Sequence, residues 1–366
     1  MAAPPPRRVP CCGAAPWKVH CMETTIAVDA MGGDFAPAHP VAGAVLAARE
    51  FGTRIALVGR AVDVEAELGR LGARGLPIEI VNATEVVEMD ESPVNAFRRK
   101  KDSSIRVASL LVREGRAHGV VSAGNTGAVM TTVKMICGVL EGIERPALCA
   151  VVPNLKGHSV WLDVGANIDC RPEHLVQFAV MGHLYSREVL GVENPRVGLM
   201  SVGEEDTKGN EVTREAFRVL RDAPLNFIGN VEGRDIFNGK ADVIVCDGFI
   251  GNVSLKAVES VAEAIVHFLK EEIGKSFRAK MGYLLARPAF RSFRKKVDYA
   301  EYGGVPLLGV RGAAIICHGG SSARAVKNAV RVALDFNRNR VNDRIHDEIA
   351  RITPREPRAA SAPAGE

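Results

Sequence analysis

Short apolar runs alternate along this chain with longer stretches whose apolar positions recur every three or four residues. The first pattern predicts buried strands, the second helices packed on them. TTIAVD (24–29), RIALVG (54–59), PIEIVN (77–82), GVVSA (119–123) and the runs 196–202, 225–229, 242–246 and 313–317 read as strands. The runs 147–153 and 159–164 read as a hairpin closed through Asn154-Leu155-Lys156-Gly157. Helices are expected from Pro40, over 63–71, from Ser92-Pro93, after Gly127, from Pro172 to about Leu190, from Asn252, and from Ser321 or Ser322 to about Arg338. Strands alternating with helices at this spacing give an α/β protein on a largely parallel, doubly wound sheet.

The strand ends carry the candidate chemistry. Five or more run into polar turns rich in Gly, Asn and Asp, and a parallel sheet would gather them along one edge into one cleft. The central example is Val120 to Met135, where Gly124-Asn125-Thr126-Gly127 joins a strand to a helix. Glycines let backbone approach a ligand, and the first helical turn offers unpaired N–H groups, so this geometry suits an anion. Asn125 and Thr126 add side-chain donors. Asp29 and Asp34 flank a bend at Gly32-Gly33. Further turns hold Asn167, Asn230, Asp247 and Asn252. Lys208 is the lone cation among Glu204, Glu205, Asp206 and Glu211, placed to be held by carboxylates and aimed at an anion. His318, at a strand end, reads as a possible base or as a hydrogen-bonded terminus.

Two basic stretches stand apart. Arg98-Arg99-Lys100-Lys101, carried on the helix from Ser92-Pro93, reads as a solvated basic face or as a docking point for an acidic partner or a phosphate. Gly274 to Val297 carries Lys275, Arg278, Lys280, Arg287, Arg291, Arg294, Lys295 and Lys296 without an acidic residue, interleaved with Phe277, Met281, Leu284, Leu285, Phe290 and Phe293. Pro288 is expected to split it into two helices with an apolar tip at Leu285 to Pro288. That hairpin, about 254–298, suits anionic lipid, or pairs subunits with its basic stems snorkelling.

Composition narrows the classes. The chain has 366 residues, 47% of them hydrophobic and 25% charged, with 36 glycines and 5% aromatics, which fits many tight βα turns better than a β-sandwich. A net charge of +4 does not argue for nucleic acid, and no nucleic-acid-binding signature is present. Apolar runs are too short to span a bilayer. Cys137, Cys149, Cys170, Cys246 and Cys317 lack CxxC spacing and read as core residues of a reducing compartment. No metal cluster, Walker lysine or GxGxxG fingerprint appears. Residues 1–21 and 353–366 read as disordered tails around a two-lobed domain at 22–340.

With no protein nucleophile in evidence, a reaction in which bound phosphate itself attacks fits the inventory. The segments DAMGGD (29–34), SAGNTGA (122–128), LDVGAN (162–167), RPEHLVQFAVMG (171–182), VGEEDTKGNE (202–211), FIGNVEGRD (227–235), DGFIGNV (247–253) and YGG (302–304) closely resemble the bacterial fatty acyl-ACP:phosphate acyltransferase family from Thr24 to Asn337. The loop GGSSAR after His318, and Cys170 after Asp169, depart from its pattern. The resemblance implies a three-layer α/β/α sandwich similar to isocitrate and isopropylmalate dehydrogenases and phosphotransacetylase. It implies a cytoplasmic homodimer, peripheral at an anionic membrane surface, that needs no cofactor. It would move a long-chain acyl group from acyl carrier protein to inorganic phosphate, and a membrane glycerol-3-phosphate acyltransferase would consume the acyl phosphate.

On that reading Lys208, Asn167 and Asp247 are catalytic, and Gly32, Gly33, Asp34, Gly124, Asn125, Thr126, Gly127, Asn230 and Asn252 bind phosphate or substrate. Arg98, Arg99, Lys100, Arg278, Lys280, Leu284, Leu285 and Arg291 meet carrier protein or membrane. A CoA-linked phosphotransacetylase shares this chemistry. A metal- and NAD-dependent β-decarboxylating dehydrogenase shares the fold but lacks its expected aspartate and arginine sets here, and a non-enzymatic scaffold would leave the polar turns idle.

Overall fold

In the computed structural model, residues 24–297 and 303–352 are described. The expected tails and Tyr302 lie outside them. The chain forms a three-layer α/β/α sandwich, but on two sheets rather than one. The first runs β3 (Ile78–Asn82), β2 (Arg54–Gly59), β1 (Thr25–Asp29), β4 (Gly119–Ser122), β12 (Ala313–Ile316), β11 (Val305–Leu308) and β5 (Ala147–Leu148). From β3 to β12 every pairing is parallel, and β11 is antiparallel to both of its neighbours. The second runs β6 (Ala150–Asn154), β7 (Gly157–Leu162), β10 (Val243–Val245), β8 (Val197–Met200) and β9 (Phe227–Val231). There only the β6–β7 hairpin is antiparallel, closed where the sequence places it.

The strands are apolar throughout because both faces are covered. Ile26 and Val28 of β1 enter one core and Ala27 the other, and Val243, Val245 and Ile244 of β10 divide in the same way. Helices α1 (Ala38–Phe51), α6 (Pro172–Glu188) and α11 (Ala323–Arg338) supply the first core, while α4 (Ser104–Arg113) and α5 (Thr126–Cys137) supply much of the second. Of the expected core cysteines, Cys137, Cys149, Cys246 and Cys317 are buried and Cys170 partly so, all as free thiols. Burial pushes the Cys137 and Cys170 thiols up to about 11.

Three readings need correction. The stretch 301–308, EYGGVPLL, reads from its sequence as a Gly-Pro loop, but Val305–Leu308 forms strand β11; its proline lacks an N–H, but its carbonyl accepts from Cys149 N. Pro288 does not end a helix. The break falls at Ser276, between α9 (Gly248–Lys275) and α10 (Phe277–Val297), so Leu284 and Leu285 sit within α10 and not at a tip. A helix the reading omitted, α12 (Val341–Ile352), packs on α6 and α11 through Val341, Ile345 and Ile349.

The sheets meet through one buried carboxylate. The chain leaves β5 and enters β6 across Cys149 alone. Asp163, just after β7, has no solvent exposure. Its Oδ1 accepts from Leu148 N of β5 (2.9 Å), Gly165 N (3.2 Å) and Ala166 N (3.0 Å). Its Oδ2 accepts from Asn167 N (2.7 Å) and Asn167 Nδ2 (2.9 Å). Burial pushes its pKa up, opposed by these donors. Asp163→Ala would strand several buried donors and is expected to cost about 3 kcal/mol or more, while Asp163→Asn, which keeps one acceptor, costs less. Denaturant midpoints of the two variants check the order.

Candidate active site

The polar turns fall into two groups, one on each sheet, instead of the single edge expected. On the first sheet the turns after β1, β4 and β12 pack together. Asp29 is buried; it accepts from Ser122 Oγ at 2.7 Å and from Met31 N at 3.1 Å. Burial pushes its carboxyl up, while the Ser104 and Ser122 hydroxyls work against that. Ser122 Oγ in turn accepts from Gly124 N at 3.1 Å. Gly32 is obligatory here, since a Cβ would stand 2.7 Å from both Gly124 N and Asp29 Oδ2. Asp34 N donates to Gly319 O at 2.9 Å, joining the third turn. The cavity under these residues is about 10 Å³, room for roughly one water. A larger anion must therefore sit outside the turn.

Asn125 does not offer the free donor expected of it. Its Oδ1 caps α5 by accepting from Ala128 N, and its Nδ2 donates to Met89 O (2.7 Å) and Glu91 O (3.2 Å). Gly127 makes room for Pro93, whose Cγ lies 2.7 Å from where a Cβ would be. So the acidic 85–93 loop is strapped to the start of α5. Thr126, the first residue of α5, is exposed, and no hydrogen bond among the described residues engages its hydroxyl. His318 Nδ1 accepts from Gly320 N, so this histidine is a hydrogen-bonded turn residue, and Ser322 caps α11.

On the second sheet Asn167 is 5% exposed, and its Nδ2 is divided between Asp163 and Pro146 O. It organises the turn and has no N–H left over. Asn230 is also buried and donates to Glu205 O at 2.8 Å, holding the turn that carries Lys208. Asp247 accepts from Ile250 N as the cap of α9. Of the carboxylates expected to hold Lys208, Glu204 pairs instead with Arg234 at 3.1 Å and Lys240 at 3.0 Å. Lys208 and Asn252 are exposed, and among the described residues no hydrogen bond or ion pair engages either side chain. Asn252 lies over Gly165, whose would-be Cβ is 3.5 Å from it.

The basic stretches sort in the same way. Arg98 and Arg99 are exposed on α3 (Pro93–Arg99), but Lys100 points inward, bonded to Val86 O and to Glu91 at 2.6 Å. It closes the 85–93 loop and is no docking cation. Lys101 and Arg106 instead flank the Phe97 ring. On the hairpin, Arg278, Lys280 and Arg291 are exposed beside Phe277 (78% exposed) and Leu285 (80%). Residue type alone flagged the asparagines; it could not reveal that Asp163 and the carbonyls of Met89, Glu91, Pro146 and Glu205 take up their donors, or that Asp29 is held by Ser104 and Ser122. The repeated strand-end Asp was the available signal.

A family profile described as "Fatty acid synthesis protein" matches residues 24–344. The phosphate acyltransferase of Citrifermentans bemidjiense is 54% identical over 341 residues, 92% of this chain and 97% of its own. That of Pelotomaculum thermopropionicum is 55% identical, with 89% and 95% covered. Among solved structures, a phosphotransacetylase from Streptococcus pyogenes superposes with a TM-score of 0.57 at 17% identity, covering 88% of this chain and 97% of its own. The EutD phosphotransacetylase from Staphylococcus aureus gives 0.55 at 16%, with 90% and 97% covered. At that identity the likeness speaks to the fold.

The loop strap gives a test. The Lys100 hydrogen bond, with Glu88 N, holds the Glu91 carboxyl below its usual value of 4.5. A lowered carboxyl stabilises the fold above its unfolded value and ceases to as pH falls through the folded one. Lys100→Met is expected to weaken amide protection of residues 86–91, after correction for intrinsic rates, roughly fivefold at neutral pH. In the unaltered protein that protection holds above pH 4.5 and falls away below it.

Proposed function

The chain belongs to the fatty acid synthesis protein family and is an acyltransferase, and we propose that it moves a long-chain acyl group from acyl carrier protein to inorganic phosphate. One observation supports the site: at the strand-end turns the buried polar side chains, apart from the Ser201 hydroxyl, are hydrogen-bonded to neighbouring groups, while Thr126, Lys208 and Asn252 stand exposed and unengaged. Phosphate lies at the start of α5, over Thr126, with the amide N–H groups of the first turn as donors. Lys208 and Asn252 supply the mobile cation and amide. A phosphate oxygen attacks the thioester carbonyl, the C–S bond breaks, and the electron pair leaves with the thiolate of the carrier's arm. Lys208 stabilises the tetrahedral oxyanion, an effect worth about 3–4 kcal/mol per donor in comparable sites. Asn167, Asn125, Asn230 and Asp247 hold the turns and touch no reacting atom. The thiolate leaves readily, so no strong general acid is needed.

The hairpin supports a long-chain, membrane-proximal product. Phe268, Phe277, Leu284 and Leu285 are exposed beside Arg278, Lys280 and Arg291. Such a surface suits anionic lipid and a second subunit. No helix among the described residues is long and apolar enough to cross a membrane. Arg98, Arg99 and Lys101 suit the acidic carrier protein. The acyl phosphate then passes to a membrane glycerol-3-phosphate acyltransferase for phospholipid synthesis.

The deciding assay follows free carrier thiol and trapped hydroxamate with palmitoyl-ACP, with and without phosphate. Phosphate-dependent release with a trappable acyl product is expected; turnover of acetyl-CoA but not of palmitoyl-ACP would make it a short-chain phosphotransacetylase. Lys208→Ala is expected to lower kcat/KM about 100-fold with an unchanged unfolding midpoint. Asn125→Ala should instead cost about 1 kcal/mol of stability as a lost cap. For the hairpin, Leu284→Asp with Leu285→Asp should abolish co-flotation with phosphatidylglycerol vesicles; undiminished flotation would place lipid contact elsewhere.

A further inference from the structure

A cavity of about 370 Å³ opens where β4 and β12 begin, at the end of the first sheet away from its polar turns. That volume lies within the range of small-molecule sites. Its walls come from the ends of α4, α5 and α11, the start of α12, and the residues leading into the two strands. Nothing in the proposed reaction uses it.

Its charge is one-sided. Arg113, Arg311 and Arg340 line it, with Asp343 as the only acid among the lining residues. Asp343 is bound to Arg340 at 2.7 Å. Among the described residues no ion pair or side-chain hydrogen bond engages Arg113 or Arg311. Two uncommitted guanidinium groups thus share one cavity. The first turn of α12 lines it as well, and its amide N–H groups have no partner within the helix.

Two details go beyond a basic patch. Arg340, between α11 and α12, has φ of 51°, the one non-glycine residue at positive φ among the described residues. Glycine or asparagine takes that conformation more readily. An arginine there accepts a steric cost to stand at the cavity wall. Asn342 has its amide fixed, because Nδ2 donates to Val310 O (3.0 Å) and Gly312 O (3.2 Å). Its Oδ1 is buried without a partner among the described residues. Those two Nδ2 bonds hold the first turn of α12 against the residues that lead into β12. Phe336 and Val112 add an apolar wall.

We propose that this cavity binds a small phosphate ester. The phosphate sits on Arg113, Arg311 and the first turn of α12. The carbon skeleton lies on Phe336 and Val112. Bidentate guanidinium–phosphate pairing supplies the anchoring.

Calorimetric titration of the full chain with glycerol 3-phosphate, adenosine monophosphate and inorganic phosphate, at fixed ionic strength, tests this. At least one ester is expected to bind one-to-one and more tightly than phosphate. Its Kd should rise tenfold or more in Arg113→Ala/Arg311→Ala and stay unchanged in Lys208→Ala. Both variants should keep the unfolding midpoint, and the arginine variant should keep its transfer activity. No binding by either ester overturns the proposal. So does affinity lost in Lys208→Ala but kept in the arginine variant, which would put the ester at the strand-end turns. Phosphate binding as tightly as both esters, with the same dependence on the arginines, overturns the ester assignment.

Discussion

The Asp163 carboxylate is the constraint on which the rest of this structure depends. An ionisable group with no solvent contact is costly unless its lone pairs are filled. Here five N–H donors converge on it from the β5 edge of one sheet and from the turn it begins on the other. Filling the carboxylate fixes the path of residues 163–167. That path receives the start of α9: Gly248 N donates to Asn167 O at 2.7 Å, and Gly251 lies so close to the Asp163 carbonyl that a Cβ could not fit. The exposed Asn252 therefore owes its position to a buried acid on another element.

The same logic separates the residues that organise the turns from those that stand exposed on them. Both Asp29 and Asp163 are buried strand-end acids whose donors are neighbouring hydroxyls and amides. Around each, the polar groups that look most like ligands are used up. Thr126, Lys208 and Asn252 stand one layer out, exposed and unengaged. Rigid, satisfied turns carrying a few free donors are what positioning catalysis requires.

Much of the fold was legible in the sequence. Strands buried on both faces write continuous apolar runs, and glycine-polar turns mark their ends. The division into two sheets was not legible, because every parallel strand looks alike locally and pairing is decided by distant residues. Strand β11 was hidden by Gly-Gly-Val-Pro, which mimics a turn. The break at Ser276 was hidden by Pro288, which α10 absorbs. The site was legible as residue types but not as hydrogen-bond occupancy. Nothing in the letters Asn125 or Lys100 says that Met89, Glu91 and Val86 take up their donors.

Helix α9 spans 28 residues, about 42 Å, and only Gly248 and Gly251 near its start are buried. It is a long arm gripped at one end. Whatever holds the outer end works against a pivot beside Asp163, and the arm ratio scales motion down. A 5 Å swing at the outer end, about 36 Å from Gly251, turns the arm by roughly 8° and moves the Phe249 end by less than about 1 Å. The mechanical consequence is attenuation: displacement of the exposed hairpin reaches the strand-end turns only as sub-ångström adjustment.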